Sequence, residues 1–336
     1  MTTSDGNWLL LVNPAAGGGR AGRLVGRVSE TLCLNDIPHR TIVTTSAGHL
    51  ASLAGDASGM GMSGVAILGG DGSASHAASG MLKSGSALPL AVIPAGNGND
   101  WVRSLGTGNL RSVVDAMTCG RTATVDAGRC SVSPHAGEPS RETLFVNSAG
   151  IGLDAHVLMR SLELRRRVPF GKAAYLCSLV STVVTMPMWE ADVTVDGSTV
   201  YQGKYLSLTI GVCPYVGGGM MLSPSARPDD GVLDGAMVGP INRRRLVTSL
   251  PQVYRGSLLS NPAVSTWRGK CFLVRSEKTL RLELDGEPVA DITGECHVKI
   301  ESLPGVLEVV VGPDYPWGLD SSTVSSSGES AITEAP

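Results

Sequence analysis

Four short apolar runs mark the first third of the chain: WLLLVN (Trp8–Asn13), HRTIVTT (His39–Thr45), GVAILGG (Gly64–Gly70) and LPLAVIPA (Leu88–Ala95). Helix-like stretches lie between them, one reaching to about Leu34, one reading AGHLASLAGDA, and one of small residues after Gly70. Short apolar strands separated by helices predict a parallel sheet covered on both faces. After about Val125 the rhythm changes. VTVDGSTV (Val193–Val200) alternates around Asp196-Gly197, and KTLRLELDGEPV (Lys278–Val289) alternates around Asp285-Gly286. Asp-Gly between alternating runs is the signature of a type I′ hairpin. YLSLTIGV, KCFLVRS and CHVKIES are further strand candidates, and helices are expected near Ala155–Pro187 and Asn242–Ser257. The second part therefore reads as a mostly antiparallel β domain. The Ser-rich end, 317–336, lacks apolar periodicity and is expected to have no fixed structure.

The length of 336 residues suits one large domain or two ordinary ones. A net charge of −3 implies no basic stripe, so nucleic acid is not an expected partner. The seven cysteines are scattered and form no CxxC pair, which predicts buried thiols in a reducing compartment. The histidines are equally dispersed and HExxH is absent, so zinc is not expected. The N-terminus has no basic region ahead of an apolar run, which predicts a soluble, cytoplasmic protein. The most apolar long segment, Ala173–Trp189, is interrupted by Pro187 and falls short of the ~20 residues of a membrane span. It reads as a helix in a core or at a membrane surface.

Ligands of open parallel sheets bind beyond the carboxyl ends of the strands. Three glycine-rich loops fall there: Asn13–Arg23, Gly69–Ser73 and Ala95–Asp100. Glycines let backbone amides approach a polyanion, and a following helix offers its N-terminus. The pattern GxxxxGK[ST] is absent, and GxGxxG is matched only loosely. Two acids, Asp71 and Asp100, sit inside these loops. A carboxylate about 4 Å from one phosphate charge would cost roughly 4 kcal/mol at an effective dielectric near 20. A divalent cation reverses that sign, and Mg²⁺ binds one or two carboxylates together with substrate phosphates. The acids thus point to a magnesium–nucleotide site. The plainer alternatives are tight βα turns, with Asp100 capping the helix after it and Ser73 capping the other.

LLLVNPAAGGGRAG, ILGGDGSASHAASG and LAVIPAGNGNDWVRSLG resemble three motifs of the diacylglycerol kinase catalytic family, which includes soluble bacterial lipid kinases and sphingosine kinases. NSAGIGLDA (Asn147–Ala155), GGGMMLSPSARPDDGVLD (Gly217–Asp234) and LELDGEPV (Leu282–Val289) resemble its later blocks, so the likeness runs over nearly the whole chain. GGDG alone is shared with NAD kinases and phosphofructokinases; the DDG-x-LD and DGE blocks point to the lipid kinases.

The resemblance implies an α/β fold of two domains. A Rossmann-like, doubly wound parallel sheet (1–126 with 303–316) would bind ATP. An antiparallel β-sandwich with helices (127–302) would bind the lipid, with the active site in the cleft between them. The strand PGVLEVVVGP (Pro304–Pro313) would return to the first domain. It further implies ATP contacts from Asn13, Pro14, Ala15, Ala16, Gly17 and Thr44, from Gly69, Gly70, Asp71, Gly72, Ser73 and His76, and from Gly96, Asn97 and Asn99. Asp71, Asp100 and Glu287 would surround a catalytic Mg²⁺ through its waters. Asp285 or Glu287 would be the general base. A second, structural Mg²⁺ would be held by Asp230 and the carbonyls of Arg227 and Val232. Two departures stand out: Ser73 replaces the family's usual threonine, and Asn97 replaces threonine in G-T-x-N-D.

LDGEP would set Asp285 and Glu287 on one face of an extended backbone, one acid for a hydroxyl and one for a metal shell; alone, it is a plain hairpin turn. The expected reaction is transfer of phosphate from ATP, with Mg²⁺, to a primary hydroxyl of diacylglycerol, giving phosphatidic acid. A sphingoid base, another lipid or a non-lipid alcohol is the alternative acceptor, and a non-catalytic nucleotide-binding regulator is the other class. The basic clusters Leu164–Lys172 and Asn242–Leu246 would favour peripheral binding at the inner face of the membrane. Met220, Met221 and Leu222 would line an acyl pocket. Solvated helix ends and core methionines are the plainer readings. The oligomeric state stays open, with a homodimer among the options.

Overall fold

The computed structural model describes residues 6–133, 141–167, 188–292 and 294–317. The apolar runs become β1 (Trp8–Val12), β2 (His39–Val43), β3 (Gly64–Gly69) and β4 (Leu90–Pro94). Between and after them lie α1 (Ala16–Leu34), α2 (Ala47–Asp56), α3 (Asp71–Ser84), α4 (Asp100–Ser104) and α5 (Leu110–Thr118). The four strands are parallel in the order β2-β1-β3-β4. Every residue of β1 and β3 is buried, as strands covered on both faces require, whereas β2 at the edge is half exposed. Small residues bring α2 and α3 together: a Cβ on Gly80 would lie 2.0 Å from the Ala51 carbonyl oxygen. The chain passes from β1 to β2 on one side and to β3 on the other, so a topological switch point opens beyond Val12 and Gly69.

The rest of the chain adds β5 (Thr122–Ser133), β6 (Arg141–Phe145), β7 (Ser148–Gly152), α6 (Leu153–Arg167), β8 (Trp189–Val195), β9 (Ser198–Tyr205), β10 (Ser207–Gly211), β11 (Tyr215–Val216), β12 (Met220–Met221) and β13 (Leu233–Val238). It ends with α7 (Arg243–Tyr254), β14 (Val264–Gly269), β15 (Cys271–Ser276), β16 (Leu280–Leu284), β17 (Glu287–Ile292) and β18 (Cys296–Val310). An antiparallel sheet, β14-β13-β10-β7-β16-β17, faces the far part of the larger sheet, where β18, β15, β8 and β9 are neighbours. Gly235 of β13 makes room for the Phe272 ring of β15. Leu208, Ile210, Met237 and Leu282 share a core with Val193, Val274, Val298 and Ile300. Both Asp-Gly pairs form the expected turns, with φ of 46° and 85° at Asp196-Gly197 and 51° and 78° at Asp285-Gly286.

CHVKIES and PGVLEVVVGP, read as separate strands, are one. β18 runs against β5 through a register shift between Leu303 and Leu307. Its first half pairs with β15, and Val309 pairs in parallel with Leu90 of β4. The parallel and antiparallel parts are thereby one continuous sheet. The buried-thiol expectation needs correction: Cys130, Cys213 and Cys296 are buried, but Cys33 and Cys119 lie exposed at helix ends. Residues 168–187, 318–336 and the side chains of 164–167 lie outside the described residues, and with them the apolar segment, the first basic cluster and the Ser-rich end. No helix among the described residues is long and apolar enough to cross a membrane.

Candidate active site

The loop after β1 opens the switch point. Gly17, Gly18 and Gly19 have φ of 60°, 67° and 85°, a left-handed run that only glycines hold without strain. A Cβ on Gly17 would lie 2.1 Å from the Ala95 carbonyl oxygen, so this loop packs directly on the one after β4. Asn13 ties the loops together: its Nδ2 donates to Ser73 Oγ at 2.9 Å, and its Oδ1 accepts from the Ala15 amide at 3.2 Å. Ser73 therefore serves this bridge rather than capping α3. Pro14 and Ala15 form the turn into α1, which Ala16 begins. Gly70 and Gly96 touch backbone to backbone, since a Cβ on Gly70 would come within 2.9 Å of the Gly96 Cα. Asn99, left-handed at φ 53°, closes the third loop by exchanging bonds of 3.0 and 3.1 Å with the Gly96 backbone. Asn97 is exposed on it. Thr44 is buried, and both its amide and its hydroxyl donate to the Val12 carbonyl.

Asp71 and Asp100 meet across this floor. A Cβ on Gly98 would stand 3.0 Å from Asp71 Oδ2 and 3.1 Å from Asp100 Oδ2, so both oxygens border the same space. Asp71 Oδ1 accepts the Trp101 amide at 3.0 Å, which caps α4 from a different loop. Burial, and then the neighbouring Asp100 charge, push the Asp71 carboxyl up. The expected helix-capping role of Asp100 is not what the structure shows. Asp100 instead reaches the turn between β11 and β12: its oxygens accept the Gly218 and Gly219 amides at 2.7 Å each, and Arg103 Nη1 at 2.7 Å. Gly217, Gly218 and Gly219 are all left-handed, which turns these amides inward. The Arg103 guanidinium also lies over the Tyr215 ring.

The β16–β17 hairpin faces this floor. Asp285 is not on an extended face beside Glu287; it begins the turn and points inward. Oδ1 accepts the amides of Asn147 (2.8 Å) and Ser148 (3.0 Å), Oδ2 accepts that of Val146 (2.9 Å), and Ser75 of α3 bonds the same carboxylate. Burial pushes its carboxyl up, against the pull of these donors. Glu287 is half exposed and crosses to α3, where Oε1 lies 3.0 Å from His76 Nε2. This bond raises the His76 pKa. Gly72 leaves the space for it, since a Cβ there would come within 2.7 Å of Glu287 Oε1. Sequence reasoning missed Glu283, Asp154 and Asn147. Glu283 is buried on a strand face that lies under α6, a cover nothing local in the sequence announces.

Asp71 Oδ2 and Asp100 Oδ2 border one space beside glycine loops that can take phosphates, and hard carboxylate oxygens suit Mg²⁺; Asp71 Oδ2 is the freer of the two, because Asp100 already takes the Gly218 and Gly219 amides and Arg103. Glu287 is not gathered with them; it is held at His76, and no group of three or more His, Cys, Asp or Glu side chains stands as a metal cluster among the described residues. At the expected second site the Asp230 carboxylate is held in an ion pair. Asp230 Oδ1 accepts the Val232 amide at 3.2 Å, and its other oxygen accepts the Arg268 guanidinium, which also lies 3.1 Å from Asp234. The Arg227 side chain pairs with Asp229. A cation is already in place, so EDTA is expected to leave the urea midpoint unchanged. A midpoint lowered by EDTA and restored by Mg²⁺ would show that a metal sits there after all. Arg268→Met should lower unfolding free energy by about 1–3 kcal/mol, because buried Asp234 loses its charged donor.

Two family models match in this order: the diacylglycerol kinase catalytic domain over residues 7–130 and the YegS C-terminal NAD kinase β-sandwich-like domain over 147–311. Among curated relatives, a diacylglycerol kinase of Mycobacterium tuberculosis is 27% identical over 305 residues, 89% of this chain and 93% of its own. A Pseudomonas putida protein with the name "Probable lipid kinase YegS-like" is 29% identical over 268 residues, 80% of this chain and 83% of its own. Among solved structures, a diacylglycerol kinase from Bacillus anthracis superposes with a TM-score of 0.68 at 20% identity, covering 91% of this chain and 97% of that one. Yeast NADH kinase shares the fold more distantly, at a TM-score of 0.51 and 11% identity over 90% of this chain and 82% of its own. With both domain models in sequence over a glycine-loop floor and a facing acidic hairpin, the chain belongs to the diacylglycerol kinase catalytic family and is a lipid kinase.

Proposed function

We propose that the chain transfers the γ-phosphoryl group of Mg²⁺-bound ATP to the primary hydroxyl of diacylglycerol, giving phosphatidic acid, in the cleft between the glycine loops and the β16–β17 hairpin. One observation carries this reading: Glu287 at the head of β17 lies within 3.0 Å of His76 in the first turns of α3, beside the glycine floor. A proton acceptor and a phosphate cradle thus share one cleft. The left-handed amides of Gly17–Gly19 and the N-terminus of α3 would receive the phosphates. Asp71 and Asp100 would hold Mg²⁺, which supplies neutralising charge at the transferring group. A carboxylate oxygen of Asp285 or Glu287 takes the proton of the acceptor hydroxyl. Thr44 and Asn99 keep the strand ends and the third loop in place through their backbone bonds.

The acceptor would be met at a membrane surface, and the half-buried Met220 and Met221, which follow the Gly218 and Gly219 amides bound to Asp100, would meet its acyl chains. The test is ATP consumption by the purified protein with vesicles containing diacylglycerol, with vesicles lacking it and without lipid, the product being identified by mass spectrometry. Turnover is expected only with diacylglycerol. Lipid-independent turnover, or none with any lipid, sinks the proposal; turnover with a sphingoid base alone moves it to that acceptor.

A further inference from the structure

Glu283 is a buried acid one residue before the end of β16, and no step described so far uses it. Its partner across the strands is Gly150 of β7, and the missing side chain there is what admits it: a Cβ on Gly150 would lie 2.4 Å from Glu283 Oε1. Its neighbour on that side is Asp154, the second residue of α6, whose Oδ2 accepts the Thr209 hydroxyl at 2.6 Å. Glu283 Oε2 turns back along its own hairpin and accepts the Gly286 amide at 2.7 Å. The turn is therefore held twice. Asp285 fastens one side to the amides of 146–148, and Glu283 fastens the other. Gly286 is left-handed at φ 78° and exposed, so without Glu283 its amide would face solvent.

We infer that Glu283 is a positioning residue: by holding the Gly286 amide it fixes the Asp285-Gly286 turn, and so the placement of both Asp285 and Glu287 in the cleft. Burial, with Asp154 alongside, pushes the Glu283 carboxyl up to about 8, so the group is mostly neutral near pH 7. A neutral amide should then replace it well, because it keeps the reach and the accepting oxygen. A shorter acid or an apolar isostere should not, since the first falls a methylene short of Gly286 and the second has no oxygen to accept its amide.

The inference rests on the kinase reading, and its test has one arm that does not. With ATP and diacylglycerol vesicles, Glu283→Gln is expected to keep kcat within about threefold of the parent, while Glu283→Asp and Glu283→Leu lose about 30-fold or more with the KM for ATP unchanged, as misplacement of reacting groups predicts. Combined with Asp285→Asn, Glu283→Leu should cost clearly less than it does alone, because both act through one turn. Independently of any lipid, exchange of the Gly286 amide read by NMR should be slow in the parent and in Glu283→Gln and fast in Glu283→Leu. Unchanged exchange in Glu283→Leu, a Gln variant as impaired as Leu, or additive losses overturn the inference. A parent inactive on every lipid overturns the proposed function instead, while the exchange arm still decides this one.

Discussion

Asp285→Asn and Glu287→Gln are each expected to lower turnover by about 100-fold or more, the scale of losing a general base or its partner acid. The two substitutions should differ in what else they cost. Glu287 is half exposed and its bond is to His76, so a glutamine there leaves no buried group unsatisfied and folding stability should hold. Asp285 is buried beneath the amides of Val146, Asn147 and Ser148. An asparagine can serve one oxygen's worth of these donors but turns an N–H toward the remaining amide. That leaves a buried donor without a partner, at a cost of about 1–3 kcal/mol. Asp285→Asn should therefore lower the unfolding midpoint as well as turnover, and Glu287→Gln only turnover. Steady-state rates under saturating ATP, measured beside urea unfolding, separate the two effects. If neither variant falls by ~100-fold, the hairpin acids are not the proton acceptors.

The pattern of stability and activity loss matters because the two acids reach the cleft by different routes, and only part of that was legible in the chain. Hydrophobic runs and glycine loops located β1 to β4 and the switch point, since those depend on local burial and turn chemistry. Asp285-Gly286 announced its turn because a left-handed pair is a local demand. The partners of the acids were not legible. Asp100 meets amides 118 residues away at Gly218, and Asp71 caps a helix that begins 29 residues later, contacts set by how the sheets pack rather than by neighbours in sequence. Glu283 gave no signal for the same reason: alternation gives the face of a strand but not what covers that face. Arg268 on β14 pairs with Asp230, the acid of the expected second metal site, through an arrangement made only when β13 and β14 align, with Asp234 opposite Arg268.

Asp71 is where these long-range partners make the sharpest prediction, because its two oxygens do different things. Oδ1 caps α4 through the Trp101 amide, and Oδ2 faces the space shared with Asp100. Asp71→Asn keeps an accepting oxygen for the cap and removes the charge. With divalent cations chelated, that charge opposes ATP, and one unit charge at about 4 Å is worth up to roughly 4 kcal/mol at an effective dielectric near 20. Screening by salt and movement of the phosphates reduce the effect, so ATP affinity in EDTA is expected to rise by about tenfold, some 1.4 kcal/mol. With Mg²⁺ the sign reverses: the same substitution removes one of the two carboxylates offered to the ion, and turnover should fall by about tenfold or more. Asp71→Ala should show both effects and in addition lose about 1 kcal/mol of stability, because it takes away the cap. Calorimetric titration with ATP, with and without Mg²⁺, reads the first two; urea unfolding reads the third. An Asp71→Asn protein that binds ATP identically in EDTA and turns over at the parent rate would leave Asp71 as a helix cap alone, and the cation would then have to be held without it.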